Sequence, residues 1–313
     1  MTSTVMRPQP LASGPGAPRR RPRSKRQNLA GWLFAGPVIG GVLFFQIAPV
    51  IASLGVSLTN WTGLRAPKFL GLENYTRLFT DDPDFYSSLW HTAVFTVAVV
   101  VASIGIGLAL AMLCNQKVVG VGLFRTLYYS PAITNVVAIG FVWFWLYEPN
   151  NGLINALLRS VGLPAPGWLS DSNTALVAVI IVAVWQGVGY PMVILLAGLQ
   201  SINASLLEAA IVDGASPWRR FWSVTLPLLT PNLFFLSIMQ FISSFQVFGI
   251  IYVMTSGGPN NATQVFIYKI YSAAFGEGRL GYASAMGWVL FAIIAVITFI
   301  QWKGEKRWVH YDN

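Results

Sequence analysis

The chain has one cysteine, Cys114, and two histidines, His91 and His310, in 313 residues. A single thiol rules out an internal disulfide framework. Two histidines so far apart in sequence supply no ligand set for zinc or haem, so neither a metal nor a cofactor is expected. Charge is scarce too: Asp, Glu, Lys and Arg are 10% of the residues, against roughly 25% in soluble domains. No G-x-x-x-x-G-K-S/T loop is present, so the chain cannot hold a nucleotide by that motif. The pair Gly105-x-Gly107 lies in an apolar run with no strand before it and is no dinucleotide loop.

Hydrophobic residues make up 55% of the chain and twelve are tryptophan, the composition of an integral membrane protein. Uncharged windows near 30–57, 89–113, 124–147, 174–198, 229–253 and 283–302 are each long enough to cross the hydrocarbon, which takes about 20 apolar residues. The expected fold is all-α: a polytopic membrane protein with six transmembrane helices. Residues 1–28, with RRRPRSKR at 19–26, are too polar to bury a core and predict a disordered basic tail. The six-span domain is expected over 29–302 and a C-terminal tail over 303–313.

The formal charge of +9 raises nucleic acid as a partner, but the positions of the charges point to membrane lipid instead. Six crossings put both termini on one side. Fourteen of the twenty Lys and Arg fall on that side: seven in the N-terminal tail, then Lys117, Arg125, Arg219, Arg220, Lys303, Lys306 and Arg307. Only Arg65, Lys68, Arg77, Arg159, Lys269 and Arg279 fall on the other. The positive-inside rule therefore predicts cytoplasmic termini and a cytoplasmic loop at 199–227.

No Asp, Glu, Lys or Arg lies deep in any window, which disfavours a proton- or ion-coupled carrier and a membrane-embedded enzyme or cofactor-binding subunit. The windows hold amides, hydroxyls and aromatics instead. Gln186 and Tyr190 share a helix face in the fourth, and Gln240, Ser243 and Ser244 project to one side in the fifth. Amides both donate to and accept from sugar hydroxyls, and aromatic faces cover sugar C–H surfaces, so these five residues are the candidate substrate path. The alternative for each is interhelical hydrogen bonding. Asn135 and Pro131 are read as packing, and Phe141, Trp143, Trp145 and Tyr147 as packing or an interfacial belt. Small residues four apart, among them Ser103, Gly107 and Ala111, suit close helix approach.

The loop between the fourth and fifth windows reads EAAIVDGASPWRRFWSVTLP at 208–227. Gly214 suits a left-handed helix terminus, and Ser216 with Pro217 suits a cap and first turn. Two short helices, small on one side and aromatic on the other, form a knob for another protein's groove.

This pattern resembles the EAA loop of binding-protein-dependent ABC importer permeases: EAA, three residues, G, nine residues, then I-x-L-P. Glu208, Ala209, Ala210 and Gly214 match, as do Leu226 and Pro227, with Val224 in place of Ile. GLENYTRLF at 71–79, GLFRTLYYSPA at 122–132, YVMTSGGPNNAT at 252–263 and GYASAMGWVLF at 281–291 extend the resemblance to carbohydrate-type permeases of the maltose and glycerol-3-phosphate class. The resemblance implies a type I importer fold in a prokaryotic cell membrane and a transporter subunit that is not an enzyme. It implies a second homologous permease subunit, an ATPase dimer and an extracytoplasmic solute-binding protein as partners. It makes Glu208, Ala209, Ala210, Asp213, Gly214, Trp218, Arg219 and Arg220 the ATPase-docking residues. A neutral sugar is the expected substrate; glycerol-3-phosphate or a glycerophosphodiester is the alternative, disfavoured because the spans carry no cation.

Overall fold

The structure, a computed structural model, describes residues 25–116 and 120–308. Among the described residues every regular element is helical, apart from an isolated antiparallel bridge between Thr59 and Phe69. Four helices are long and apolar enough to cross a membrane: Trp32–Ser57, Pro83–Cys114, Thr230–Met254 and Leu280–Lys306. Two bent pairs, Val121–Ile133 with Val136–Leu146 and Ala175–Gly187 with Gly189–Ser201, bring the total to six if each pair is one span. All six apolar windows are therefore helical, but the third and fourth are not straight rods.

Helix also extends past the expected domain ends. It starts at Lys25, inside the segment read as tail, and residues 1–24 lie outside the described residues. The last helix runs to Trp308, past the expected end at 302, and residues 309–313 lie outside the description. Extending a formed helix adds one hydrogen bond per residue, and Lys303 steadies this end by lying 4.9 Å from the Phe299 ring centroid.

The chain divides after Ser53 into two units. In the first, the helix passes through a π-turn at Leu43–Ile47. Pro49 accounts for it: proline has no N–H for the carbonyl four residues back, and its ring crowds that turn.

In the second unit, the bend in the third span is 97°. Pro131 lies in the last turn of Val121–Ile133, and Thr134 and Asn135 are extended, with ψ of 146° and 126°. Asn135 then caps the next helix, its Oδ1 accepting from the Val137 N–H at 2.8 Å. The fourth span bends by 42° where Gly187 meets Gly189, just before Pro191. A Cβ on Gly189 would lie 2.5 Å from the Tyr128 carbonyl oxygen, so only glycine lets the fourth span lie against the third. The second span meets the fourth through the expected small residues: Ser103 and Ala111 are buried, and a Cβ on Gly107 would lie 2.8 Å from Pro191 Cβ.

Packing falls into three clusters. Cys114, Met192, Leu195, Leu229 and Leu236 join the second, fourth and fifth spans beside the 199–227 loop. Phe95, Val182, Ile251 and Met254 fill the middle. Leu78, Phe85, Phe266, Tyr282 and Met286 close the region where the second and sixth spans start. In lipid such contacts stabilise through close van der Waals fit more than through exclusion of water.

Candidate functional site

Where the bends of the third and fourth spans face the fifth, a cavity of about 480 Å³ opens. Gln186, Tyr190, Gln240, Ser243 and Ser244, all five of the expected path residues, line it. The rest of the wall is Phe95 and Val99 of the second span, Tyr129, Ala132 and Val136 around the 97° bend, and small or apolar residues such as Ala183, Met239 and Val247. No charged side chain is among the lining residues.

The break in the third span frees the Thr134 carbonyl, and Gln186 Nε2 donates to it at 3.4 Å. That bond is long and weak. Gln186 therefore both bonds to the break in the third span and lines the cavity. Ser244 is 6% exposed and Tyr190 38%, so the wall includes both enclosed and open side chains.

The fifth span is interrupted within the cavity wall. Helix Thr230–Phe245 stops, residues 246–248 are non-helical, and helix resumes over Gly249–Met254. Irregular backbone at membrane depth is tolerated where it is buried in protein or lines a cavity, and Val247 and Gly249 both line this one.

The loop at 199–227 has the expected hairpin geometry. Asn203 caps helix Ala204–Val212, its side chain accepting from the Ser205 N–H. The helix ends in a Schellman turn: the Ala215 N–H donates to the Ala210 carbonyl at 2.9 Å, and the Gly214 N–H to the Ile211 carbonyl at 3.0 Å. Gly214 has φ +75°, the left-handed region where glycine carries no Cβ penalty. Ser216 caps the second helix, Pro217–Arg220, its Oγ accepting from the Arg219 N–H at 3.3 Å. A π-turn follows at Phe221–Thr225, with Pro227 as its cause in the manner of Pro49.

Glu208, Ala209, Asp213, Gly214, Trp218 and Arg219 are exposed, and Ala210 and Arg220 half-buried. Around them large apolar side chains stand open, Val212 at 86% and Trp218 at 71% exposure. Among the described residues the charges of Glu208, Asp213, Arg219 and Arg220 form no ion pair, whereas Lys269 pairs with Asp82 and Asp84, and Arg279 with Glu277. Lys117, counted with the cytoplasmic cations, lies outside the described residues.

Sequence reasoning missed part of the site. Asn135 and Pro131, taken as packing, create the bend that forms one wall, and Tyr129, Ala132 and Val136 enter the cavity with it. The usable signal was Asn four residues after Pro, a helix stop followed by a cap. Tyr147, grouped with the packing or belt residues, is 2% exposed; its hydroxyl donates to the Ala178 carbonyl at 3.3 Å. Phe141 and Trp145 of the same cluster are exposed. His91 Nδ1 is buried without a hydrogen-bond partner among the described residues.

Residues 103–307 match the family described as the binding-protein-dependent transport system inner membrane component. The chain is 39% identical to the probable ABC transporter permease protein YesP of Bacillus subtilis (strain 168), over 96% of this chain and 98% of that one. It is 35% identical to the probable starch degradation products transport system permease protein AmyD of Thermoanaerobacterium thermosulfurigenes, over 88% and 94%. It is equally 35% identical to the sn-glycerol-3-phosphate transport system permease protein UgpA of Agrobacterium fabrum (strain C58 / ATCC 33970), over 78% and 83%. A chain in the crystal structure of a bacterial alginate ABC transporter, in complex with an alginate pentasaccharide-bound periplasmic protein, shares the fold: TM-score 0.80 at 21% identity, over 90% and 96%. With its helical spans and the match across most of its length, the chain belongs to the inner-membrane permease family of binding-protein-dependent ABC transporters, as a multi-pass, non-catalytic subunit.

Proposed function

We propose that this permease subunit lines half of an import path for a neutral saccharide and is driven through its 199–227 hairpin by a separate ATPase dimer. The observation that carries the substrate class is the cavity: two amides, two serine hydroxyls and two tyrosines line it, and no charge does. Its volume falls within the ~300–1,000 Å³ typical of small-molecule sites. Amides and hydroxyls match the donor and acceptor rim of a sugar, and ring faces match its C–H surface.

The drive comes from outside the chain. Switching a two-state transporter from mostly one state to mostly the other takes about 5.5 kcal/mol of differential binding. The cavity wall carries no carboxylate, histidine, lysine or arginine to supply it. The hairpin supports a docked partner: exposed Trp218 and Val212 offer contact area, and Glu208, Arg219 and Arg220 carry charges that form no ion pair among the described residues. This reading places the hairpin and both termini in the cytoplasm, a second homologous permease beside the cavity, and a solute-binding protein on the far face.

The resemblance to glycerol-3-phosphate permeases favours a second reading, a phosphorylated polyol. A phosphate carries about −1.5 to −2 charge at neutral pH and calls for a cation that this wall does not contain. The test is ATP-dependent uptake by the complete complex in proteoliposomes, with neutral saccharides and glycerol-3-phosphate side by side. Saccharide uptake that drops at least tenfold in kcat/KM with Gln240→Ala, at unchanged assembly, is the expected result. Uptake of glycerol-3-phosphate alone would overturn the neutral-sugar reading.

A further inference from the structure

Beyond the cavity, a run of aromatic rings occupies the end of the fifth span farthest from the hairpin. The chain leaves the hairpin, passes Gln240, Ser243 and Ser244 on helix Thr230–Phe245, breaks, and continues over Gly249–Met254. Residues 248–252 therefore lie past the cavity as counted from the hairpin. Phe248 sits between two cavity-lining residues, Val247 and Gly249, and stacks on Tyr252 with centroids 5.3 Å apart and planes at 27°. Tyr271 packs on Phe248 at 5.0 Å and on Tyr252 at 5.4 Å, and Phe275 continues the line 5.3 Å from Tyr271.

These rings are held from behind. Tyr271 ends the short helix Phe266–Tyr271, whose Lys269 is tied to Asp82 at 2.5 Å. Tyr268 of the same helix covers Gly257 so closely that a Cβ there would lie 2.7 Å from the ring. The front is open: Tyr252 is 44% exposed and Phe275 74%.

We propose that Phe248, Tyr252, Tyr271 and Phe275 form a saccharide-binding ledge at the entry mouth, on which pyranose rings stack before they pass into the cavity. This rests on the import reading above, which makes the end opposite the hairpin the entry side. Three features select a saccharide. The ladder is continuous with the polar cavity through Val247 and Gly249. Its rings pack on one another, so part of their side-chain freedom is already given up before a sugar stacks. Its tyrosines add hydroxyls beside flat apolar faces, the pairing that a pyranose presents in reverse.

The experiment uses the complete complex in proteoliposomes and labelled gluco-, galacto- and xylo-trisaccharides as probes. The paired change Tyr252→Leu and Phe275→Leu is expected to raise KM for the transported trisaccharide about tenfold with kcat little changed. Tyr252→Phe, which keeps the ring and loses one hydroxyl, is expected to raise KM about threefold or less. If the paired variant does not accumulate, Phe275→Leu alone, at the most exposed of these rings, is expected to raise KM about threefold. An unchanged KM in the leucine variants, with Gln240→Ala still impaired, overturns the ledge and leaves the cavity reading intact. Loss of the second permease subunit from the purified leucine variants also overturns it, since the rings would then be a subunit interface. A wild-type complex that moves no neutral saccharide overturns both.

Discussion

Lys269 Nζ lies 2.5 Å from Asp82 Oδ1, joining residues 187 apart in sequence, and the Tyr282 hydroxyl donates to Asp82 Oδ2 at 2.5 Å. One carboxylate thus ties the start of the second span to the helix after the fifth span and to the start of the sixth. Burial by itself would raise the Asp82 carboxyl, but the hydrogen bonds from Lys269 and Tyr282, the Lys269 charge and the Asp84 N–H outweigh it and hold it below the usual carboxylate range. A carboxyl depressed on folding contributes stability that is complete above its unfolded value near 3.8 and is lost as pH falls through the lower folded value. Thermal unfolding of the detergent-solubilised protein is expected to stay flat from pH 7 to 5 and weaken below pH 4. Lys269→Met leaves the half-buried carboxylate with only the Tyr282 and Asp84 hydrogen bonds and is expected to cost about 1–3 kcal/mol at pH 7. An equally stable variant at pH 7 would show that the pair contributes nothing.

The cap at the bend of the third span gives a second prediction. Asn135→Ala removes the acceptor for the Val137 N–H and is expected to cost about 1 kcal/mol, a fall of roughly 2–4 °C in Tm for a chain of this size. Because Ala132 and Val136 flank the bend and line the cavity, saccharide KM should rise as well. Asn135→Asp keeps an acceptor and should restore both. A KM that stays at the wild-type value in the alanine variant would separate the bend from the site.

How much of this was legible depended on the range of the interaction. Gly214, Ser216 and Pro217 act on backbone groups within a few residues, so the hairpin's caps could be read from the letters alone. Gln240, Ser243 and Ser244 share a face because of helical periodicity, so their common direction was readable too. The bend at Thr134 was not read, since hydropathy alone does not tell a straight helix from a broken one and the stop-and-cap pair Pro131 and Asn135 was taken as packing. Tyr147 could not be separated from Phe141 and Trp145, because burial depends on what packs from elsewhere, here the Ala178 carbonyl and Trp168. The Lys269–Asp82 pair was invisible for the same reason. Both residues carry charge outside the windows, and only the fold brings them together.

Gly214 tests the drive. Its φ of +75° strains any residue with a Cβ by roughly 1 kcal/mol, and a β-branched one by more. Gly214→Val is expected to leave membrane insertion intact while unwinding the Schellman turn, so that ATP hydrolysis no longer depends on transported saccharide. Gly214→Asn, which tolerates the left-handed region, should keep most of the coupling. The measurement is saccharide-stimulated ATPase activity of the reconstituted complex. Full stimulation in the valine variant would count against a coupling role for the hairpin.

Gly107 tests the packing that sets the cavity's far wall. A Cβ there would lie 2.8 Å from Pro191 Cβ and 3.1 Å from the Met192 nitrogen, and neither neighbour is the end of a flexible side chain. The second and fourth spans must therefore separate by several tenths of an ångström to admit even alanine. Phe95 and Val99, two to three turns earlier on the same helix, line the cavity against Gln186 and Tyr190, so the separation is transmitted to the site. Gly107→Val is expected to destabilise the protein by about 1–3 kcal/mol, the usual range for overpacking. Gly105→Val, where a Cβ meets nothing within 4 Å, is the matched control and should unfold at the wild-type temperature. Equal Tm values for the two variants would mean that the spans do not meet at Gly107, and the wall of the cavity would have to be built differently.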